Sequence, residues 1–374
     1  MHYNEYGYGH DYGNSKTCGI AHIAGEQRVM VMPSAILRGS HETLQARLSG
    51  SGSANSLVGL IGPASHTVSF INQAQERVEY YVGDLAINQA PSGTPISALT
   101  SRGIVERYWS DSSVALLLAT SGSLIRDPEY GLHVVTNLPI ATFNDANAKR
   151  VKMALDGDYI FSLDGIERRA HINVRKTIME AAGANIAYGV PGAQEKVAIV
   201  DIGGRTTDAY LVKGQLPIND QCESADLGVE TAGDRIIQAF EQRFDYPLTM
   251  ADARELLRLS VSGQQYLRVP SVANAGADVV EVGDLIEREL RAVGEEIAKF
   301  LKRLWSSSLK RDVVLSDVSK VLLIGGGAYY FSTDLQPLFK NRLMVIERPE
   351  YANARGYAKL AQHFLQREIK ARFA

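Results

Sequence analysis

The chain has 374 residues, 45% of them hydrophobic and 22% charged, with a formal net charge of −3. Bulk charge therefore gives no case for a nucleic-acid or anionic-membrane partner, and the length suits two domains better than one. No apolar run reaches membrane-spanning length and the Tyr/Gly-rich start does not read as a signal peptide, while two cysteines without metal-ligand spacing, Cys18 and Cys222, point to a reduced, cytoplasmic setting.

In chain order, the segment before Asp11 alternates Tyr3, Tyr6, Tyr8 and His10 with Gly7 and Gly9. It reads as a strand, although not as the aliphatic run of a central one. Asp11-Tyr-Gly13-Asn14-Ser15-Lys16-Thr17 follows as a turn, and then come two further strands about Gly25. A small loop bearing Ser15 and Lys16 can set donors and a positive charge against a phosphate, although an Asp-x-Gly-Asn sequence is also a routine turn. Residues 39–57 are rich in Gly, Ser and Asn, with a flexible tip expected at 49–53. Short strands are expected at Val68–Ile71 and Val78–Val82, and a turn into a helix at Gly83-Asp84. Val114 to Ala119 reads as a buried helix, Leu132 to Pro139 as a strand ending in a turn, and Phe143 to Leu155 as a helix.

A strand from Val174 runs into a helix near Glu180, 21 residues before Asp201. The stretch Val197-Ala-Ile-Val-Asp201-Ile-Gly203-Gly204-Arg-Thr206-Thr207-Asp208-Ala-Tyr-Leu-Val212 sets two buried strands about a glycine-rich turn. The glycines let the backbone bring N–H groups to an anion, the threonines can add hydroxyl donors, and Asp201 can hold a hydrated divalent cation. Helices are expected at Thr231–Phe244 and Leu248–Leu259, the second capped by Thr249. Residues 261–277 read as irregular or as short strands. Leu285, Leu290, Val293, Ile297, Leu301 and Leu304 mark one face of a long helix over Val282–Ser307, a core stripe rather than a membrane or coiled-coil element. Val321-Leu-Leu-Ile-Gly325-Gly326-Gly327 is a buried strand ending in three glycines, a turn that lets backbone approach a flat ligand closely. After a strand at Arg342–Ile346, Ala352, Ala354 and Gly356 open a last helix suited to close packing on another backbone, as a hinge requires.

The order of these motifs, over residues 11 to 357, resembles the actin and heat-shock-chaperone ATPase superfamily, and within it the plasmid-segregation actins of the ParM/StbA type. Asp201-Ile-Gly-Gly-Arg-Thr-Thr-Asp208 is similar to that branch's second phosphate motif and Val321 to Gly327 to its adenosine motif; Leu227-Gly-Val, Pro33-Ser-Ala, Tyr81-Val-Gly-Asp-Leu-Ala and Thr136-Asn-Leu-Pro are further similarities. The departure is the Tyr/Gly/His-rich first strand.

The resemblance implies an α/β fold of two actin-like (ribonuclease H-like) domains, each with a mixed five-stranded sheet and with a nucleotide cleft between them. Residues 1–145 would form domain I, with a C-terminal helical segment 346–374 packing back on it, and residues 146–345 domain II. It also implies ATP or GTP with magnesium as cofactors. Asp11 and Asp201 would hold the metal through waters, and Glu180 would orient the attacking water. Gly13, Asn14, Ser15 and Lys16, with Gly203, Gly204 and Thr206, would clamp the phosphates. Gly325, Gly326, Gly327 and Tyr329 would border the base. The expected partners are further copies in a filament and a DNA-binding adaptor, with filament contacts sought in residues 39–56 and 261–277. The alternative of another class is a sugar or small-molecule kinase of the same superfold, against which stands the lack of an additional aspartate motif in the first domain. A chaperone would need a further substrate-binding domain, and a nucleotide-binding pseudo-enzyme would not need Asp11, Glu180 and Asp201 together.

Overall fold

Strand β1 (Asn4–Tyr12) is followed by β2 (Lys16–Ile23), β3 (Glu26–Pro33), β4 (Ile36–Arg38), α1 (His41–Gly50), β5 (Ser65–Ile71), β6 (Arg77–Gly83), α2 (Asp84–Gln89), α3 (Asp111–Leu124), β7 (Glu129–Leu138), α4 (Asp145–Leu155), β8 (Gly157–Leu163), β9 (Ile166–Met179) and α5 (Ala182–Tyr188). Next come β10 (Lys196–Ile202), β11 (Thr207–Lys213), β12 (Leu216–Pro217), β13 (Glu223–Ala225), α6 (Val229–Phe244), α7 (Met250–Val261), β14 (Tyr266–Pro270), β15 (Ala277–Glu281), α8 (Gly283–Trp305), β16 (Lys320–Ile324), α9 (Ala328–Phe339), β17 (Leu343–Val345) and α10 (Ala352–Arg372). This computed structural model describes residues 3–50, 62–91, 94, 105–188, 192, 194–214, 216–264, 266–270, 277–306, 315 and 317–372. The chain divides into two units, Met1–Gly189 with Tyr351–Ala374, and Val190–Glu350.

The first unit is built on a nine-stranded sheet of order β3-β2-β1-β7-β9-β8-β5-β6-β4. β1, β7 and β9 run parallel and the remaining neighbours antiparallel. The sheet exceeds the five strands expected because β8 pairs with both β9 and β5 and so carries the β5–β6–β4 strands onto the same ladder. The same pairing corrects the expected boundary at 145/146: β8 and β9 hydrogen-bond into this sheet, so residues 146–189 belong to the first unit.

β1 is an interior strand in spite of its composition. Tyr8 and Tyr12 are buried, with the Tyr8 hydroxyl donating to Thr120 Oγ1 at 2.8 Å and the Tyr12 hydroxyl to the Ser113 carbonyl at 2.8 Å, as buried phenols require. The other face explains the glycines. A Cβ on Gly9 would collide with the Ala358 amide nitrogen and the Ala354 carbonyl, and one on Gly7 would lie 2.6 Å from the Gln362 backbone. The strand thus omits side chains where the backbone of α10 lies against it. Gly356 is in similar contact with the Gly183 carbonyl. The small residues that open the last helix therefore serve close packing within the first unit.

The second unit carries a six-stranded sheet of order β12-β11-β10-β16-β17, with β13 also on β11, one strand more than the five expected. β10 and β11 are antiparallel, β10–β16 and β16–β17 parallel. Ala198, Val200, Val321 and Leu323 pack against Val293, Ile297 and Leu301 of the amphipathic α8 and Phe331 and Leu335 of α9. Thr249 and Asp252 form the capping box of α7, the threonine hydroxyl accepting from Asp252 N–H and the carboxylate from Thr249 N–H. Of the two expected loops, residues 41–50 are helical and 51–61 lie outside the described residues; β14 and β15 pair as an antiparallel hairpin, and 271–276 lie outside.

Gly9→Ala places a methyl group into the α10 backbone and should destabilise the protein by about 3 kcal/mol, the upper range for overpacking. Urea unfolding followed by circular dichroism reads this as a lower midpoint; an unchanged midpoint would show that α10 is free to withdraw from β1.

Candidate functional site

In the second unit, Asp201 and Ile202 end β10 and pair across the hairpin with Asp208 and Thr207. The turn closes when Gly203 N–H donates to the Thr206 carbonyl at 2.8 Å. The carbonyls of Gly203 and Gly204 accept from the Val229 and Glu230 N–H groups at 3.2 and 2.6 Å, so the turn satisfies the otherwise orphaned donors that open α6. Gly228 admits this contact: a Cβ there would sit 2.7 Å from the Arg205 nitrogen and the Gly204 carbonyl.

The polar groups beneath the turn are fixed in the same way. Asp208 is buried, and its carboxylate accepts from the Ser224 hydroxyl and, at 3.0 Å, from the Thr206 hydroxyl. Burial pushes the Asp208 carboxyl up, the two hydroxyls pull it down, and Asp226 adds to the rise. The Thr206 hydroxyl proton is thus directed at Asp208, so toward a phosphate this residue would offer its backbone rather than the hydroxyl donor expected. Glu230 is only 4% exposed and takes two arginines, Arg205 Nε at 2.8 Å and Arg254 at 2.6 Å. The clamp fastens the turn to α7.

The glycine run meets this hairpin. β16 lies parallel to β10 with Ile324 opposite Asp201, so Gly325 follows beside the buried Asp201 carboxylate. Gly325 has φ +79°, and a Cβ there would collide with Asp201 Oδ1 and the Ile202 carbonyl; one on Gly327 would collide with the Ile202 side chain. Gly327 N–H donates to the Ile202 carbonyl at 2.7 Å before α9 begins, and around Gly326 there is open space. Residues about 124 positions apart in sequence thus form one patch of backbone and carboxylate. Tyr329 lies beyond it, half exposed, its hydroxyl on Glu350 at 2.7 Å.

In the first unit, Asp11 pairs with Cys18 near the end of β1. The Gly13 carbonyl accepts from Ser34 Oγ at 2.7 Å and the Ser15 carbonyl from Ser34 N–H at 3.0 Å, so Ser34 holds the turn that bears Asn14. A Cβ on Gly13 would strike the Lys16 carbonyl. Lys16 is exposed and close enough to Asp84 to oppose the rise that burial gives that carboxyl. Glu180 extends the β7–β9 pairing through its N–H on the Leu138 carbonyl at 2.8 Å. The next residue, Ala181, is buried with φ +70°, a left-handed conformation that costs a non-glycine residue about 1 kcal/mol or more. The chain leaves β9 at Glu180 by a strained turn, and Ala184 N–H is received by Asn353 Oδ1 of α10 at 3.3 Å.

Arg107 and Tyr108 connect the two acidic positions. The guanidinium donates to the Tyr12 carbonyl at 3.2 Å and to the Tyr108 hydroxyl at 2.5 Å, and lies 4.5 Å from the Tyr108 ring centre. Burial raises the Tyr108 phenol; Arg107 opposes this, while Glu180 and Asp11 add to it. Both carboxylates are therefore near one arginine–tyrosine pair. Sequence reasoning missed Arg107, Tyr108, Ser34 and the Glu230 clamp. The only available signal was that Ser34 lies within Pro33-Ser-Ala and Glu230 directly follows Leu227-Gly-Val, segments already singled out.

Comparison with known proteins bears on the fold and the family. Residues 9–183 match the family of actin-like proteins, N-terminal domain, and residues 199–337 the archaeal actin homologue MreB-like, C-terminal family. Among solved structures, the archaeal actin homolog Ta0583 superposes with a TM-score of 0.70 at 18% identity, over 96% of this chain and 99% of that one. The ParM of a 15-stranded filament from Clostridium botulinum gives 0.71 at 20% identity, over 96% and 100%. At such identities the likeness shows the fold, which is the two-domain actin-like one. A chaperone protein HscA homolog of Ralstonia nicotianae is 30% identical over 176 residues, 42% of this chain but 27% of that protein; the match spans about a quarter of the curated relative's length.

Removing one member of a buried ion pair leaves the others uncompensated. Glu230→Ala should cost the protein about 3–5 kcal/mol, and the further change Arg205→Met should recover part of the loss. Thermal melts of the single and double variants test this, and equal stability of Glu230→Ala and wild type would show that the clamp is idle.

Proposed function

Because the chain belongs to the actin-like ATPase family, we propose that it binds ATP or GTP with magnesium, hydrolyses it slowly and polymerises into filaments, as a cytoplasmic plasmid-segregation actin of the ParM/StbA kind that moves DNA through an adaptor protein. The observation that carries the nucleotide reading is the meeting of Asp201 with the Gly325–Gly327 turn: Gly325 and Gly327 let the turn close onto Ile202 and the buried Asp201 carboxylate, while the space around Gly326 stays open.

The residues present suit a nucleotide and a hydrated cation. Asp201 is a hard oxygen donor at a strand end, fit to hold magnesium through waters, and Asp11 has the same position on β1. Magnesium, when bound, supplies charge neutralisation for the phosphates. Gly204 and Thr206 offer backbone N–H groups on a turn that Gly203 closes and the α6 contact holds, while Gly13, Asn14, Ser15 and Lys16 offer the Ser34-braced turn and one ammonium. Gly325, Gly326, Gly327 and Tyr329 are assigned to the base. Glu180 accepts a hydrogen bond from the attacking water and fixes its orientation, and the strained Ala181 turn restricts where that carboxylate can point. Little covalent chemistry is asked of the protein, so catalysis is positioning and charge stabilisation. Self-association is supported by the ParM filament among the structural neighbours.

Asp201→Ala is expected to abolish magnesium-dependent hydrolysis, read as phosphate release. Glu180→Ala should keep nucleotide binding and lose about 3 kcal/mol of barrier lowering, roughly 100-fold in rate, with filaments that outlast wild type. Loss of binding in Glu180→Ala would make Glu180 structural.

Sedimentation over a protein titration should show a critical concentration only with nucleotide present. A chain that stays monomeric and phosphorylates a small-molecule acceptor would replace the filament reading with that of a kinase of the same superfold.

A further inference from the structure

A cavity of about 210 Å³ opens in the first unit where the β5 end, the start of α3 and the α4–β8 region meet. A single water needs only roughly 10–15 Å³, so the space suits a small organic group. Phe70, Trp109 and Tyr159 line it, with Val114 beneath and Asp111 and Asn72 as polar members. Phe70 and Tyr159 meet edge to face, 6.1 Å between centroids at 75°, and both are buried.

Asp111 is the chemically informative group. It is half-buried, and its carboxylate accepts from Asn72 Nδ2 at 2.9 Å. Asn72 is itself braced, its Oδ1 receiving the Glu76 N–H at 2.9 Å. Among the described residues no cation pairs with Asp111. Its place in the first turn of α3 explains a negative charge there, but not why three aromatic side chains line the same pocket. Its field also reaches the rings: burial pushes the Tyr159 phenol up to about 12, with Asp156 and Asp111 adding.

We infer that this cavity binds an alkylammonium group, with Asp111 as counter-ion and Phe70, Trp109 and Tyr159 as aromatic walls. The negative ring faces attract a cation, an aromatic enclosure recognises methylated ammonium groups, and the carboxylate supplies charge. Trp109 already shows this affinity on its own account: the Arg150 guanidinium lies 5.5 Å from its centroid. The site is independent of the nucleotide reading, and none of its residues was given a role there.

The test is a titration of the wild-type chain with tetramethylammonium chloride against matched sodium chloride, read by tryptophan fluorescence. Of the two tryptophans, Trp305 is buried in the second unit with its Nε1 on the Gln221 carbonyl, so the signal reports Trp109. A saturable change is expected, weakened at least about tenfold in the near-isosteric Asp111→Asn, which corresponds to about 1.4 kcal/mol, and weakened also in Phe70→Leu. N-acetyl-lysine methylamide separates the sources: tighter binding than tetramethylammonium points to a protein side chain, weaker binding to a free amine. A response no larger than that to sodium chloride, or one unchanged in Asp111→Asn, overturns the inference. So does binding that appears only in Arg150→Ala, which would make Arg150 the occupant.

Discussion

The parallel pairing of β10 with β16 is the constraint on which the candidate site of the second unit rests. It sets Ile324 opposite Asp201, and the strand ends then leave no room for side chains between Asp201, Ile202 and the turn that follows. Gly325 and Gly327 are required by contact, not merely by turn geometry. The same contact orders the rest. With Ile202 receiving Gly327 N–H, the hairpin turn lies over the start of α6, where its carbonyls take the first helical donors. Backbone hydrogen bonds build this part of the site, so its shape depends little on side-chain rotamers.

Much of this was legible in the sequence. Asp201-x-Gly-Gly and Gly325-Gly-Gly are short, and in the second a Cβ on Gly325 or Gly327 would strike Asp201 or Ile202; such requirements leave a local mark. The α8 stripe was legible for a different reason: Leu285, Val293, Ile297 and Leu301 recur at helical spacing and are buried. Strand number and unit boundary were not legible. They depend on β8 pairing with β5 some 90 residues earlier, and long-range pairing leaves no local pattern. Arg107 and Tyr108 were missed for the same reason, since only folding brings them to Asp11 and Glu180.

β1 shows how hydrophobic patterning misleads. An interior strand reads as aliphatic when both its faces meet side chains. Here one face meets helix backbone and needs Gly7 and Gly9, while the other needs volume and is filled by Tyr8 and Tyr12. The tyrosine hydroxyls then need partners, which Thr120 and Ser113 of α3 provide. The unusual composition reflects a strand packed more tightly against its helix than a leucine or valine would permit.

The two units fix their candidate turns with different physics. In the second, Glu230 is an ionised group taken out of water, and it is tolerated because two guanidinium groups meet its carboxylate. In the first, Ser34 ties down the Gly13–Ser15 turn with two neutral hydrogen bonds, and Ala181 beside Glu180 takes a strained left-handed conformation. Neutral hydrogen bonds contribute about 1 kcal/mol each, with no charge to desolvate. The difference accords with the chemistry proposed for each. A phosphate-facing hairpin gains from being rigid before its ligand arrives, whereas a loop carrying a lysine and three small polar residues gains from adjusting to it. The strained exit at Ala181 then has a physical reading. In the mechanism proposed above, it would limit the range of directions open to Glu180 and so hold the carboxylate assigned to the water in place.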